Sequence, residues 1–73
     1  MLYRVEVRYK KGVLDPEGNA ALDALRSLGF KADAVATAKV YLIETSSSQE
    51  DVEEMCRKLL ANPIIHDCSV SKA

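Results

Sequence analysis

The sequence is poor in the residues from which catalytic and metal sites are built. Its 73 residues contain one histidine, two cysteines and no tryptophan. The histidine, His66, precedes Asp67, but neighbouring residues of a strand point to opposite faces, so this carboxylate cannot orient the ring for general-base catalysis. Nucleophilic or zinc chemistry would need further partner residues that the sequence lacks. We therefore predict no catalytic residue, no metal site and no bound cofactor, and a structural role for His66.

The sequence also lacks an excess of charge and a long apolar run. Lysine and arginine total 10 and aspartate and glutamate total 11, which gives a net charge of −1. Proteins that bind nucleic acid usually carry a basic excess, because phosphate contacts supply much of their affinity. The first residues, MLYRVEVRYK, alternate and are charged, unlike a secretory signal, and no apolar stretch approaches the ~20 residues of a membrane span. We expect a cytoplasmic protein that binds neither nucleic acid nor membranes.

The two cysteines, Cys56 and Cys68, do not form a CxxC motif. Because disulfides are rare in a reducing compartment, we predict that both are free, with Cys56 in the core face of a helix and Cys68 packed in a strand. A redox role is the weaker alternative. A chain of this length buries only about 60% of the surface that its unfolded form exposes. Such small scaffolds usually need a disulfide, a metal or a partner chain. Association with other chains is therefore the expected source of additional stability.

Local signals mark the first strand and the first helix. Residues Tyr3 to Tyr9 alternate between apolar and charged side chains, which indicates a half-buried strand. Asp15 is the candidate N-cap of a helix, Pro16 suits its first position, and Gly29 suits the position just after its end. Gly18 could mark the close approach of a neighbouring backbone. We favour the simpler interpretation that glycine is merely tolerated near the helix start.

The segment AVATAKVYLIET, residues 34–45, predicts a long extended run with two largely apolar faces. It exceeds the usual five or six residues of a strand, so it either bends into two strands or projects beyond its own sheet. A projecting apolar strand is an aggregation hazard unless another subunit covers it. We therefore predict a self-association strand made of Lys39, Val40, Tyr41, Leu42 and Ile43.

The segment SSSQEDVEEMCRKLLANP predicts a second helix, and IIHDCSV predicts a short last strand. One face of this helix repeats at i, i+3, i+4, i+7 and i+8 and is expected to be buried: Val52, Met55, Cys56, Leu59 and Leu60. The order strand, helix, strand, helix, strand predicts a single α+β domain over residues 1–73. Its two helices would lie on one face of a mainly antiparallel, ferredoxin-like sheet. The sheet has three strands and an unpaired edge unless the long central strand bends into two.

Two segments, KGVLDPEGNAALDALRSLGF and VEEMCRKLLANPIIHD, resemble the hallmark segments of the PurS family. PurS is the small subunit of phosphoribosylformylglycinamidine synthase, also called formylglycinamide ribonucleotide amidotransferase. Residues 11–18, 28–30 and 56–65 match the family pattern in order and spacing. In its middle strand the family often has a basic residue and, two positions on, Gly-Lys. This chain keeps only the lysine, as Lys39. His66 and Cys68 stand where the family usually has an acidic and an aromatic residue.

The resemblance implies a non-catalytic subunit in de novo purine biosynthesis. It would form a homodimer or homotetramer and bridge the glutaminase subunit, PurQ, and the ATP-dependent synthase subunit, PurL, supporting ammonia transfer between them. ATP and magnesium are expected on PurL. From its exposed loop chemistry we predict that a partner subunit contacts the loop made of Lys10, Lys11, Gly12, Val13, Leu14 and Asp15.

Two other functions are compatible with a small helix-on-sheet domain. A dimeric regulatory module would bind a small molecule between chains, and it would show saturable binding of a defined ligand. An RNA-binding sheet would need exposed aromatic residues and basic charge. Because Tyr3 and Tyr9 lie on the face assigned to the core, we rank RNA binding last.

Overall fold

A computed structural model describes residues 1–73 of the chain. Its elements are β1 (Leu2–Tyr9), α1 (Pro16–Ser27), β2 (Ala38–Glu44), α2 (Gln49–Met55), a π-helical turn (Cys56–Leu60) and β3 (His66–Lys72). The strands form one antiparallel sheet in the order β2-β1-β3. The predicted α+β class and the three-stranded alternative are thus confirmed. No helix is both long enough and apolar enough to cross a membrane.

The central strand, β1, supplies most of the core. Tyr3, Val5 and Val7 are buried on one face while Arg4 and Arg8 are exposed on the other, which confirms the predicted alternation. The core is completed from the second helical segment by Val52 and Cys56. The sheet is therefore held mainly from the side of α2 and the π turn.

The first helix begins and ends at its predicted residues. The Asp15 carboxylate accepts a hydrogen bond from the Gly18 amide at 2.8 Å, and Gly29 has the left-handed φ of 91° that a glycine adopts without strain. The Phe30 amide donates to the Leu25 carbonyl at 3.0 Å. Nevertheless, α1 contributes no side chain to the hydrophobic core.

The interpretation of Gly18 as merely tolerated is wrong. Gly18 is buried, and a Cβ atom at this position would lie 2.5 Å from the backbone oxygen of Val35. The chain segment that leads into β2 therefore passes directly over the first turn of α1. Only glycine leaves room for it.

The expected long strand over residues 34–45 is also shorter in the structure, where β2 covers Ala38–Glu44 as a single strand. Just before it, Thr37 donates its amide to the Asp15 carboxylate at 2.7 Å. A backbone group that a longer strand would pair with a neighbouring strand is satisfied here by a side chain. Residues 34–37 consequently pack against the start of α1 and do not pair in the sheet.

The predicted buried stripe of the second helix is only partly correct. Val52 and Cys56 are buried, but Met55 is 36% and Leu59 83% exposed. The Ala61 amide donates to the Cys56 carbonyl at 3.0 Å, an i→i+5 hydrogen bond. Because a π turn is wider than an α turn, it shifts later residues around the axis. Leu59 is thereby directed to solvent.

The prediction of two free cysteines is wrong, since Cys56 and Cys68 form a disulfide. The register places Cys68 opposite Val7, on the sheet face that Cys56 covers. The two cysteines are 12 residues apart in sequence. Closing a loop of this size stabilises a fold by about 3 kcal/mol through the entropy of the unfolded chain.

The molecule is elongated. Its dimensions are 47 × 24 × 14 Å and its radius of gyration is 15.1 Å, whereas a compact domain of this length is expected near about 11 Å. Only six of the 73 residues are buried. Much apolar surface is therefore left for contact with other chains.

Candidate functional site

The groups that could have formed a reaction centre are engaged in structural contacts. His66 accepts a hydrogen bond from the Asn62 amide at 2.9 Å through Nδ1, and its ring packs against Tyr9 with centroids 5.1 Å apart. Asp67 pairs with Lys10 at 2.9 Å, and this hydrogen bond lowers the pKa of Asp67. No cluster of three or more histidine, cysteine, aspartate or glutamate residues is placed to hold a metal ion. The candidate functional sites of this chain are therefore surfaces that could contact other chains.

The first such surface is the loop from Lys10 to Asp15. Its start is fixed by the Lys10 amide, which donates to the Ile65 carbonyl at 2.9 Å, and by the Val13 amide, which donates to the Lys10 carbonyl at 3.0 Å. Gly12 turns the chain with a φ of 86°. These contacts leave Lys11 exposed and Leu14 67% exposed. The loop therefore presents one cation and one large apolar side chain on a fixed backbone.

Asp15, the last residue of this loop, faces inward. Its carboxylate accepts hydrogen bonds from the Gly18 and Thr37 amides and from the Thr37 hydroxyl, which lies 2.9 Å from each oxygen. The amide hydrogen bonds hold the pKa of Asp15 below its ordinary value of 3.8. Asp15 thus joins the loop, the start of α1 and the segment before β2. Its geometry suits positioning of the loop more than direct contact with a partner.

The second surface is β2, which is an edge strand because it pairs only with β1. The five residues of the predicted self-association strand divide between its two faces. Val40 and Leu42 are 44% and 64% exposed, whereas Tyr41 and Ile43 are half-buried against the core. Lys39 lies 5.9 Å from the centre of the Tyr41 ring. The unpaired backbone edge and the two exposed apolar side chains are the features available to a second strand.

A cleft of about 420 Å³ lies beside the start of β2. Residues of the sheet form part of its lining, and α1, the π turn and the segment before β2 contribute one residue each: Val7, Arg8, Tyr9, Ala38, Lys39, His66, Glu17, Leu60 and Thr37. Sequence reasoning did not identify this cleft, since its lining residues come together only through the strand register and the path of residues 34–37. Two of the lining residues stood out in the sequence: Lys39, which matches the family pattern, and His66, which departs from it. Neither residue indicates a cleft by itself.

Sequence reasoning also missed two exposed apolar areas. Leu28 and Phe30, at the end of α1, are 75% and 62% exposed, and Leu59 and Ile64, around the π turn, are 83% and 81% exposed. The prediction that Leu59 is buried rests on the periodicity of a regular α-helix, which the π turn interrupts. These side chains are further candidates for contact with other chains.

The comparisons with known proteins agree with one another. The sequence model of a family described as "PurS: Phosphoribosylformylglycinamidine (FGAM) synthase" matches residues 2–73. The phosphoribosylformylglycinamidine synthase subunit PurS of Archaeoglobus fulgidus is 45% identical over 76 residues, covering 96% of this chain and 95% of the relative. The corresponding subunit of Methanocaldococcus jannaschii is 46% identical over 72 residues, covering 90% and 87%.

Solved structures show the same likeness. The crystal structure of Methanocaldococcus jannaschii PurS superimposes with a TM-score of 0.84 at 44% identity, covering 99% of this chain and 96% of that one. Bacillus subtilis PurS superimposes with a TM-score of 0.88 at 35% identity, covering 96% and 94%. A chain in a structure described as PurLQS from Thermotoga maritima has a TM-score of 0.67 at 23% identity, over 100% and 99% of the two chains, and this likeness concerns the fold alone.

Proposed function

Since the chain belongs to the PurS family of phosphoribosylformylglycinamidine synthase, we propose that it bridges the glutaminase subunit PurQ and the ATP-dependent subunit PurL of that synthase and supports ammonia transfer between them. The observation that carries this proposal is the elongated fold with a core of five hydrophobic residues and many exposed apolar side chains. A lone chain of this kind is poorly suited to hold a reacting substrate. It is well suited to contact several neighbours.

The two surfaces are assigned different partners in this proposal. The loop from Lys10 to Asp15 contacts PurL or PurQ, because its fixed backbone exposes Lys11 and Leu14 together. The open edge of β2 contacts a second copy of the chain, giving a homodimer or homotetramer in the cytoplasm. The relatives from Archaeoglobus fulgidus and Methanocaldococcus jannaschii are named as subunits of the synthase, which supports an assembly with other subunits. ATP and magnesium are held by PurL, and this chain binds no cofactor.

Reconstitution tests the bridging role. Purified PurL and PurQ from the same organism are assayed with and without the chain, once with glutamine and once with ammonium chloride as the nitrogen source. Bridging predicts that the glutamine-dependent rate requires the chain, whereas the ammonia-dependent rate of PurL does not. Equal glutamine-dependent rates in both mixtures would remove the bridging role.

A second function, a small-molecule regulatory module, is favoured by one observation. The cleft beside β2 is about 420 Å³ and combines apolar residues with Lys39, Glu17 and Thr37, a composition and size compatible with a small polar ligand. Calorimetry with the substrates and products of the synthase would test it. Saturable heat that is lost in Lys39→Ala would support this function, and no heat from any of these compounds would exclude it for the synthase reaction.

A further inference from the structure

The disulfide between Cys56 and Cys68 is asymmetrically exposed. Cys56 is 2% exposed, whereas Cys68, on the same face of the sheet, is exposed. Two open clefts of about 230 and 180 Å³ flank the bond, and both are lined by Cys56, Arg57 and Cys68. Charges of both signs border these clefts, from Lys10, Arg57, Glu53 and Asp67. An external thiol can therefore approach the sulfur of Cys68 without unfolding of the core.

The disulfide closes the segment of residues 57–67. Its last residues, His66 and Asp67, pair with β1, whereas residues 62–65 lie outside the helices and strands and are held mainly by short-range hydrogen bonds. Within it, the Ile65 and His66 amides donate to the Asn62 carbonyl at 3.0 and 2.8 Å, and the Ile64 amide donates to the Asn62 side chain at 3.0 Å. The π turn that opens the segment is only five residues long. It continues α2 directly and is held by the disulfide and by the packing of Leu60 and Ala61 against the core.

The same segment anchors the loop from Lys10 to Asp15. The Lys10 amide donates to the Ile65 carbonyl at 2.9 Å, and the Lys10 ammonium pairs with Asp67 at 2.9 Å. The carbonyl of Ile65 is the hydrogen-bond acceptor of the Lys10 amide, so the first residue of the loop is tied to this segment. Movement of residues 57–67 therefore displaces the start of the loop.

We propose that Cys56 and Cys68 form a reversible thiol–disulfide site, and that its reduction loosens residues 57–67 together with the loop from Lys10 to Asp15. The reductant is a thiol of the glutathione or thioredoxin class. The part of the proposal that concerns assembly rests on the proposed function, because that loop is the surface assigned to PurL or PurQ. In this view the oxidised chain is the form that binds its partner subunits tightly.

The exchange is balanced in two steps. A thiolate of the reductant attacks Sγ of Cys68, the Sγ–Sγ bond breaks, and Cys56 leaves as a thiolate that takes up a proton. A second thiol of the reductant then attacks the mixed disulfide. It becomes oxidised to a disulfide and releases Cys68 as a thiolate that is protonated in turn. Oxidation by a small disulfide of the same class reverses both steps.

Hydrogen exchange of the isolated chain tests the proposal without any partner. The amides of residues 57–62 and 64–67, and those of Lys10 and Val13, are compared in three samples. These are the oxidised chain, the chain reduced by a thioredoxin-type protein or by dithiothreitol, and Cys68→Ser. We expect these amides to exchange at least tenfold faster in the reduced chain and in Cys68→Ser, while the amides of β1 stay protected. Ser71→Ala, at an exposed position three residues after Cys68 in β3, serves as the control and should match the oxidised chain.

Three results would overturn the proposal. The first is resistance of the disulfide to both reductants until denaturant unfolds the chain, which would make it a permanent cross-link. The second is a change of less than twofold in the exchange of residues 57–67 and of Lys10 on reduction. Loss of β1 protection in the reduced chain would show global unfolding instead of local loosening.

The consequence for assembly is measured in the reconstituted complex. We expect reduction to weaken binding of the chain to PurL and PurQ at least fivefold, and Cys68→Ser to bind as weakly as the reduced chain in either condition. Equal binding of the oxidised and reduced chains would contradict the role in assembly. If neither form binds or supports glutamine-dependent activity, the proposed function fails. The hydrogen-exchange experiment on the isolated chain still tests the redox site independently.

Discussion

The two helices of this small protein differ in a way that separates local stability from core packing. The first, α1, has 12 residues, a side-chain N-cap and a glycine stop, yet its only buried residue is Gly18 and it supplies no side chain to the core. The second, α2, has seven residues before it becomes a π turn, yet Val52 and Cys56 are among the most buried side chains of the molecule. Clear capping signals therefore show where a helix begins and ends. They do not show what it packs against.

The difference divides the molecule into two regions. The sheet, α2 and the π turn form a cross-linked region with the whole hydrophobic core. The region formed by α1, its continuation to residue 37 and the outer edge of β2 leaves Leu28, Phe30 and Leu42 exposed. We interpret the first region as the part that folds the chain and the second as the part that a second copy of the chain completes.

Large-to-small substitutions in the two helices test this division most strongly. Val52→Ala, at a fully buried position, should lower the free energy of unfolding by about 2 to 3 kcal/mol, because it removes two methyl groups and leaves a cavity. Leu28→Ala, at a position 75% exposed, is the matched control and should change it by less than about 0.5 kcal/mol. Urea unfolding of both variants with the disulfide intact measures the difference. Equal losses would mean that α1 packs as tightly as α2.

Gly18→Ala tests whether the backbone at Val35 packs directly against the first turn of α1. Alanine in place of glycine inside a helix normally stabilises it by up to about 1 kcal/mol. Here the new Cβ would meet the Val35 oxygen at 2.5 Å, so we expect a loss of about 1 to 2 kcal/mol instead. Ser27→Ala, exposed in the last turn of α1, controls for helix propensity. A stabilised Gly18→Ala variant, measured by thermal unfolding, would contradict the close approach of the two backbones.

A pair of exposed leucines tests which region meets a second copy of the chain. Leu42→Asp places a charge on the outer face of β2, and Leu59→Asp places the same charge on the π turn, where the leucine is also exposed. We expect Leu42→Asp to weaken self-association at least tenfold, about 1.4 kcal/mol, and Leu59→Asp to leave it unchanged. Sedimentation equilibrium measures both. The reverse pattern would move the self-association surface away from β2.

The smallest effect is expected in acid. Because the pKa of Asp15 is held below its ordinary value of 3.8 by the Gly18 and Thr37 amides, its ionised form stabilises the fold. This contribution is complete above pH 3.8 and is lost as the pH falls through the lowered pKa of the folded state. Asp15→Asn should therefore flatten the fall in stability with decreasing pH in this range, and Asp23→Asn, on the exposed face of α1, should not. Thermal unfolding between pH 2 and 5 provides the measurement. Parallel curves for Asp15→Asn and the unsubstituted chain would contradict a stabilising role of the hydrogen bonds from Gly18 and Thr37 to the ionised Asp15 carboxylate.

The features that were predicted from the sequence are local ones. The alternation of β1, the N-cap at Asp15 and the stop at Gly29 depend on residues within a few positions of one another, and the structure confirms all three. The α+β order follows from such elements in sequence. The resemblance to the PurS family likewise rests on contiguous segments, and the comparisons confirm it.

The features that were missed depend on distant parts of the chain or on irregular backbone. The constraint on Gly18 comes from Val35, which lies 17 residues later, and the pairing of Cys56 with Cys68 depends on the register of β3 with β1. The exposure of Leu59 follows from a π turn that hydrophobic periodicity does not reveal. The contact roles of the Lys10–Asp15 loop and of β2 stay predictions.

Light scattering of the isolated, oxidised chain over a dilution series tests the central claim most directly. If the region formed by α1 and β2 is completed by another chain, the measured mass should be an integral multiple, twofold or more, of the 8.0 kDa of one chain at micromolar concentration. A well-folded particle of 8.0 kDa across the whole series would contradict the account, because the exposed apolar surface would then need no second copy.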